Sequence, residues 1–182
     1  MIIQRQVYRV KNGKFHEAAA AMREEDNATL AVMEPGREPM RIYTPMFAPQ
    51  LLAVEFTAES QESMQEGWAA WESTGRPPAF YKKWKTLAEE FLSYEIWNVH
   101  GHKKVEDLET TIAIRWMRQA LPAKDQNVVE LLNEWFIENA QTTTRVTQPH
   151  YGSPMNIVLE IEYADLADYQ AKLGEWMAQP DV

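Results

Sequence analysis

The amino-acid sequence predicts an α+β fold made of two ferredoxin-like (βαββαβ) halves packed sheet to sheet, with the last strand of the second half missing. The first observation behind this is a repeat: the stretch from Arg41 to Trp71 recurs, more weakly, from Arg145 to Trp176. With one residue added in the second turn, Arg41, Pro45, Glu55 and Trp71 match Arg145, Pro149, Glu160 and Trp176. Apolar character is kept at Phe47/Tyr151, Leu52/Ile157, Val54/Leu159, Phe56/Ile161, Met64/Tyr169 and Trp68/Leu173, so each copy reads as a β-hairpin followed by an amphipathic helix. The second observation is the order of elements around the repeat, β-α-β-β-α-(α)-β and then β-α-β-β-α, in which each half is a split βαβ unit. The third is burial. Helices on one face of each sheet leave a bare, partly apolar second face, and packing the two bare faces together buries both.

Each element has its own signal. Residues 2–10 alternate Gln4, Gln6 and Tyr8 against Ile3, Arg5, Val7 and Arg9, which is strand periodicity. Asn12-Gly13 breaks it. From Lys14 to about Met33 good helix formers dominate, and Phe15, Ala18, Met22 and Leu30 make one stripe. Arg41–Phe47 and Leu51–Thr57 are the first hairpin, with Ser60 as the N-cap of the helix behind it. Pro77-Pro78 introduces a helix over Ala79–Leu92, and Ser93–Val99 closes the half as a strand. The first half is thus 1–99, the polar stretch 100–109 reads as a linker, and 110–182 is the truncated second half. In that half Thr110–Arg118 alternates as a strand, and Val128, Leu131, Leu132, Trp135 and Phe136 form a helical apolar face. Thr142–Gln148 and Met155–Tyr163 form the second hairpin, and Asp165 caps the last helix.

Composition narrows the function classes. With 18 basic and 27 acidic residues the net charge is −9, and no basic run is longer than Lys82-Lys83. Nucleic-acid affinity comes largely from Lys and Arg, so a nucleic-acid partner is not expected. There are no cysteines, which rules out disulfides, thiolate catalysis and thiolate-bound metal. The N-terminal MIIQRQVYRV has no apolar core of a signal peptide, and no run approaches the ~20 apolar residues of a membrane span. A soluble, cytoplasmic protein without a membrane partner is expected. No Gly-rich phosphate loop, GxSxG, HExxH or Walker motif occurs, so nucleotide-dependent chemistry is not indicated.

The segment LLAVEFTAESQESMQEGWAAWESTGRPPAFYKKWKTLAEEFLSYEIWNV carries a family likeness. Its strand ending in Glu and Phe, its helix with two spaced Trp, its next helix with another Trp and its closing E-I-W strand resemble the C-terminal half of a NIPSNAP-like domain. More broadly the chain is similar to the dimeric α+β barrel superfamily, which includes antibiotic-biosynthesis-type monooxygenases. The resemblance covers residues 1–99 and, more weakly, 110–182. It implies an intramolecular version of the dimeric barrel and a small-molecule ligand between the sheets. It also implies a monooxygenase or isomerase that needs no cofactor and acts on an aromatic or polyketide-like compound. The alternative is a non-catalytic assembly module. A homo-oligomer through the open sheet edge of the second half is the partner that an unpaired edge invites.

Several residues are candidates for that chemistry. Glu55 and Glu160 occupy equivalent strand positions opposite the apolar faces of Leu52, Val54 and Phe56 and of Ile157, Leu159 and Ile161. They are expected to project between the sheets, where a dry carboxylate is a general base; the plain alternative is a structural ion pair with Arg5, Arg9 or Arg115. His150, beside Tyr151 in the turn where the first copy has Met46 and Phe47, is the candidate for proton transfer near neutral pH. Tyr8, Tyr43, Trp116, Tyr151 and Arg115 are the candidate ligand-binding residues. Arg41 and Arg145 are candidates for an anionic ligand group, but read first as surface residues at strand starts. Trp68, Trp71, Trp135 and Trp176 fall on apolar helix faces and are expected in the core. His100 and His102 with Glu106 and Asp107 do not make a credible metal site, so no metal is expected.

Overall fold

The computed structural model describes residues 1–33, 38–45, 48, 50–105 and 111–178. They fall into two compact units, Met1–Trp97 and Asn98–Val182.

The first unit contains β1 (Ile2–Val10), α1 (Phe15–Leu30), β2 (Arg41–Tyr43), β3 (Leu51–Ala58), α2 (Gln61–Ser73), α3 (Pro77–Leu87) and the start of β4 (Ala88–Lys103). Its strand order is β2-β3-β1-β4, the ferredoxin-like arrangement expected from the sequence. Local chemistry sets the element boundaries. Gly13 turns the chain at φ 74°, a conformation glycine adopts without steric cost. Ser60 accepts from the Ser63 N–H at 3.2 Å, and the Ser63 hydroxyl accepts from the Ser60 N–H at 3.0 Å, closing a capping box on α2. Pro77-Pro78 starts α3, where prolines lose no intrahelical hydrogen bond. The core lies on the helix side of the sheet. Val10, Leu52 and Val54 pack against Ala18, Ala21 and Met22 of α1, Trp71 of α2 and Phe80, Trp84 and Leu87 of α3.

One boundary differs from the sequence expectation. The helix ends at Leu87 rather than Leu92, and Ala88 is already extended at φ −97°, ψ 145°. Glu89, Glu90 and Leu92 favour helix weakly by propensity, but ladder formation beside β1 outweighs that preference. The strand then continues through His100-Gly101-His102-Lys103, whose polar composition reads as a linker.

The second unit contains the end of β4, then β5 (Ile112–Gln119), α4 (Asp125–Leu132), a π-helical turn (Asn133–Ile137), β6 (Thr144–Pro149), β7 (Asn156–Tyr163) and α5 (Leu166–Met177). Its order is β6-β7-β5, with β4 beside β6. Among the described residues β5 has no strand on its outer side, in line with the missing last strand. The internal repeat reaches beyond the hairpins. Lys14 and Lys124 both occupy the N-cap position of the first helix of their unit, with φ −101° and −117°. The residues before them, Gly13 and Ala123, are both left-handed. Val10 N donates to Gln50 O just as Ala120 N donates to Met155 O. Asp165 caps α5 by accepting from Asp168 N at 2.9 Å. Among the described residues no helix is long and apolar enough to cross a membrane.

Candidate functional site

In an antiparallel sheet, directly opposed residues share a face. Arg5 of β1 and Arg41 of β2 both stand opposite Glu55 of β3. Arg115 of β5 and Arg145 of β6 both stand opposite Glu160 of β7. Each unit therefore carries one glutamate flanked by two arginines on the face away from its helices. In the first unit the Arg5 Nε and Nη2 atoms each lie 2.7 Å from Glu55 Oε1. In the second unit Glu160 accepts from Arg115 on Oε2 and from Arg145 Nε at 3.0 Å on Oε1, with a further contact from Arg145 Nη2. Glu55 and Glu160 are 1% and 4% exposed.

These contacts are the structural ion pairs that the sequence offers as an alternative to a free base. Arg145, read from the sequence as a strand-start surface residue, is 4% exposed and central to its cluster. Local sequence does not show that β6 is covered on both faces. In the first unit the cluster extends further: Arg5 Nη1 lies 3.5 Å from Glu95 Oε2, and Trp97 Nε1 donates to the same oxygen at 3.0 Å. The Arg5 guanidinium lies 5.6 Å from the Trp97 ring centroid. Tyr43 shares this face, beneath the Arg41 guanidinium at 5.3 Å.

Tyr8 and Trp116 sit elsewhere than expected. Strand alternation puts Tyr8 with Gln4 and Gln6 on the helix side, where its ring meets Trp84 edge-on at 5.0 Å and its hydroxyl donates to Gln6. Burial, reinforced by Tyr81, pushes its phenol up to about 12. A folded-state value above the unfolded one means the neutral form is favoured by folding. That stability is complete below about pH 10 and is lost as pH rises from there toward 12, by about 2–3 kcal/mol. Urea unfolding at pH 9 and pH 12 should show this loss, and Tyr8→Phe should remove most of it.

His150 and Tyr151 lie in the turn after β6, both exposed, with the rings edge to face at 4.6 Å. His150 Nδ1 is 2.9 Å from Asn98 Oδ1. The repeat partners of this turn, Met46 and Phe47, lie outside the described residues, as do Glu106 and Asp107. His100 and His102 belong to β4. Among the described residues no three His, Asp or Glu side chains gather to hold a metal ion.

Trp116 lines a site that sequence reasoning missed. On the helix side of the second unit, a cleft of about 180 Å³ is bounded by Trp116, Arg118, Leu131, Leu132, Trp135, Phe136, Leu159 and Trp176. The Trp116 ring lies 6.2 Å from both Phe136 and Trp176. The π-helical turn builds one wall: Glu138 N donates to Asn133 O at 3.1 Å, five residues back, and the extra residue per turn re-aims Trp135 and Phe136. Trp135 is 61% exposed and Trp176 37%, against 8% for Trp71 in the first unit. The core position expected for Trp135 and Trp176 is thus corrected. In the first unit the matching walls, among them Ala21, Met22, Val54 and Trp71, are covered by Phe80 and Trp84 of α3. The second unit has no such helix among its described residues, so the same seat stands open.

No family model matches the chain, and no curated protein does. Solved structures do. A “putative monooxygenase” from Fusobacterium nucleatum matches with TM-score 0.70 at 17% identity, over 93% of this chain and 78% of its own. A second protein so named, from Lactobacillus acidophilus, matches with TM-score 0.72 at 8% identity, over 98% and 82%. A NIPSNAP family protein from Agrobacterium tumefaciens aligns with 52% of this chain and 89% of its own at 21% identity and TM-score 0.42. The α+β fold read from the sequence is thus shared with these two structures, in a chain whose two units are each α+β with ferredoxin-like strand order.

Proposed function

We propose that this protein binds a small aromatic or polyketide-like molecule and acts on it without a cofactor, as a monooxygenase or isomerase. The observation that carries the binding step is the open cleft of the second unit. Ligand sites are concave and mostly apolar, with few polar groups, and this one has three tryptophans, a phenylalanine and one arginine. Its volume exceeds that of engineered apolar cavities of ~150 Å³ that take up benzene. The reaction class rests on fold analogy with the proteins named above.

In this reading the ligand lies on the helix side of the sheet rather than on the charged face that the sequence pointed to. Trp116 is kept from the sequence-derived set, whereas Tyr8 serves the first core. Glu55 and Glu160 hold strands together through their arginines. His150 is exposed in the turn after β6 and is not among the residues that line the cleft. The second reading, an assembly module, draws on the open side of β5.

Indole is a direct probe. Titrated into ¹⁵N-labelled protein, it is expected to shift the side-chain Nε1–H signals of Trp116, Trp135 and Trp176 saturably. Those of Trp68, Trp71 and Trp84 should stay in place. Trp135→Ala should weaken binding about tenfold, as the loss of one aromatic wall implies. Shifts confined to the first unit, or none at all, defeat the proposal. Oxygen uptake with a dihydroxynaphthalene and no added cofactor then tests the reaction.

A further inference from the structure

We propose that the cleft selects aromatic acids, with Arg118 receiving the acid group; this rests on the small-molecule reading above and names the ligand class for the same site. Three features support it. Arg118 lines the cleft, exposed, and has no carboxylate partner among the described residues. That is unusual company for an arginine in a chain of net charge −9, in which Arg5, Arg9, Arg76, Arg115 and Arg145 are all in ion pairs. Its guanidinium is held 5.7 Å from the Trp116 ring centroid, so the fork is positioned over the aromatic floor of the cleft rather than free in solvent. The third feature is the repeat. Arg118 stands at the strand position that Tyr8 fills in the first unit, three residues after the cluster arginine in each case (Arg5 to Tyr8, Arg115 to Arg118). Where the first unit has a phenol packed beneath α3, the second has a cation at an uncovered apolar seat.

The rest of the lining sets the shape of the ligand. Trp116, Trp135, Phe136 and Trp176 offer ring faces and edges, and Leu131 and Leu132 offer no hydrogen-bonding group. A planar molecule of one or two fused rings fits about 180 Å³, with its ring among the tryptophans and a carboxylate at the Arg118 end. Arginine recognises carboxylates by paired, charge-assisted hydrogen bonds, and a neighbouring apolar wall strengthens them by excluding water.

The test compares 2-naphthoate with its neutral isostere 2-naphthamide on the full chain, by calorimetry at low salt, in wild type, Arg118→Met and Trp135→Ala. The expected result is naphthoate binding about tenfold tighter than the amide in wild type, the size of one exposed charge-assisted contact. Arg118→Met should abolish that preference, weakening naphthoate about tenfold more than the amide, and an unchanged circular-dichroism spectrum and thermal transition show that the variant is folded. Trp135→Ala should weaken both ligands. Equal affinities in wild type would overturn the acid selectivity and leave the small-molecule reading standing. Binding that survives Trp135→Ala undiminished places the ligand elsewhere and overturns both. Absence of binding overturns both as well; if the chain then elutes as an oligomer that Trp135→Ala dissociates, the occupant of the cleft is a second copy.

Discussion

Glu160→Gln is expected to destabilise the protein by about 3–5 kcal/mol, the cost of removing one partner from a buried ion pair. Arg145 is almost fully buried and Arg115 largely so, and Glu160 meets one on each oxygen. Glutamine keeps the shape but loses the charge, and its amide NH₂ must face one of the two guanidiniums. The substitution takes the carboxylate charge from between two guanidiniums and sets one donor against another. Urea unfolding followed by circular dichroism checks this, with Glu55→Gln as the sister variant in the first unit. A loss below about 1 kcal/mol for both would mean that the arginines are satisfied elsewhere. A variant with unchanged stability but altered ligand affinity would return the glutamates to the list of reacting groups.

Trp84→Ala is expected to cost a similar amount, about 3–5 kcal/mol, for a different reason. The Trp84 ring stacks on Phe80 at 5.5 Å, meets Tyr8 edge-on at 5.0 Å and is 8% exposed. Deleting it removes transfer energy and leaves a void in the cluster that it shares with Tyr8, Trp71 and Met22. The variant recreates in the first unit the kind of opening that the second unit has naturally. Thermal unfolding with and without millimolar indole reads both effects. The transition should fall in the variant and recover in part on adding indole, because a ligand that binds only the folded state stabilises it. A loss under 1 kcal/mol would show that α3 is not what seals the first core, and the account of the open seat in the second unit would fail with it.

How much of this was legible beforehand depends on the range of the interaction. Strand alternation is local, and it correctly put Glu55 opposite Leu52, Val54 and Phe56. The same alternation put Tyr8 with Gln4 and Gln6, away from Arg5, so its place on the helix side was open to reading; its phenol simply drew attention as a ligand group. Trp116 and Arg115, being neighbours in one strand, cannot share a face, although both were candidates for a single pocket. Capping by Ser60 and Asp165 was legible because it spans only four residues.

What the sequence by itself determined is the set of elements, the repeat and the side of each strand that bears charge, since all three follow from side-chain periods of 2 and 3.6. Tertiary structure alone decided which arginine meets which glutamate. Register is a property of two strands, and Arg145 meets Glu160 because β6 pairs with β7 in that register. It also decided the fate of Trp135. The helical period assigns that residue to an apolar face with Leu131 and Leu132, but burial needs something to cover the face. In the first unit α3 covers it. In the second, among the described residues, nothing does, and a core position becomes the wall of a cleft.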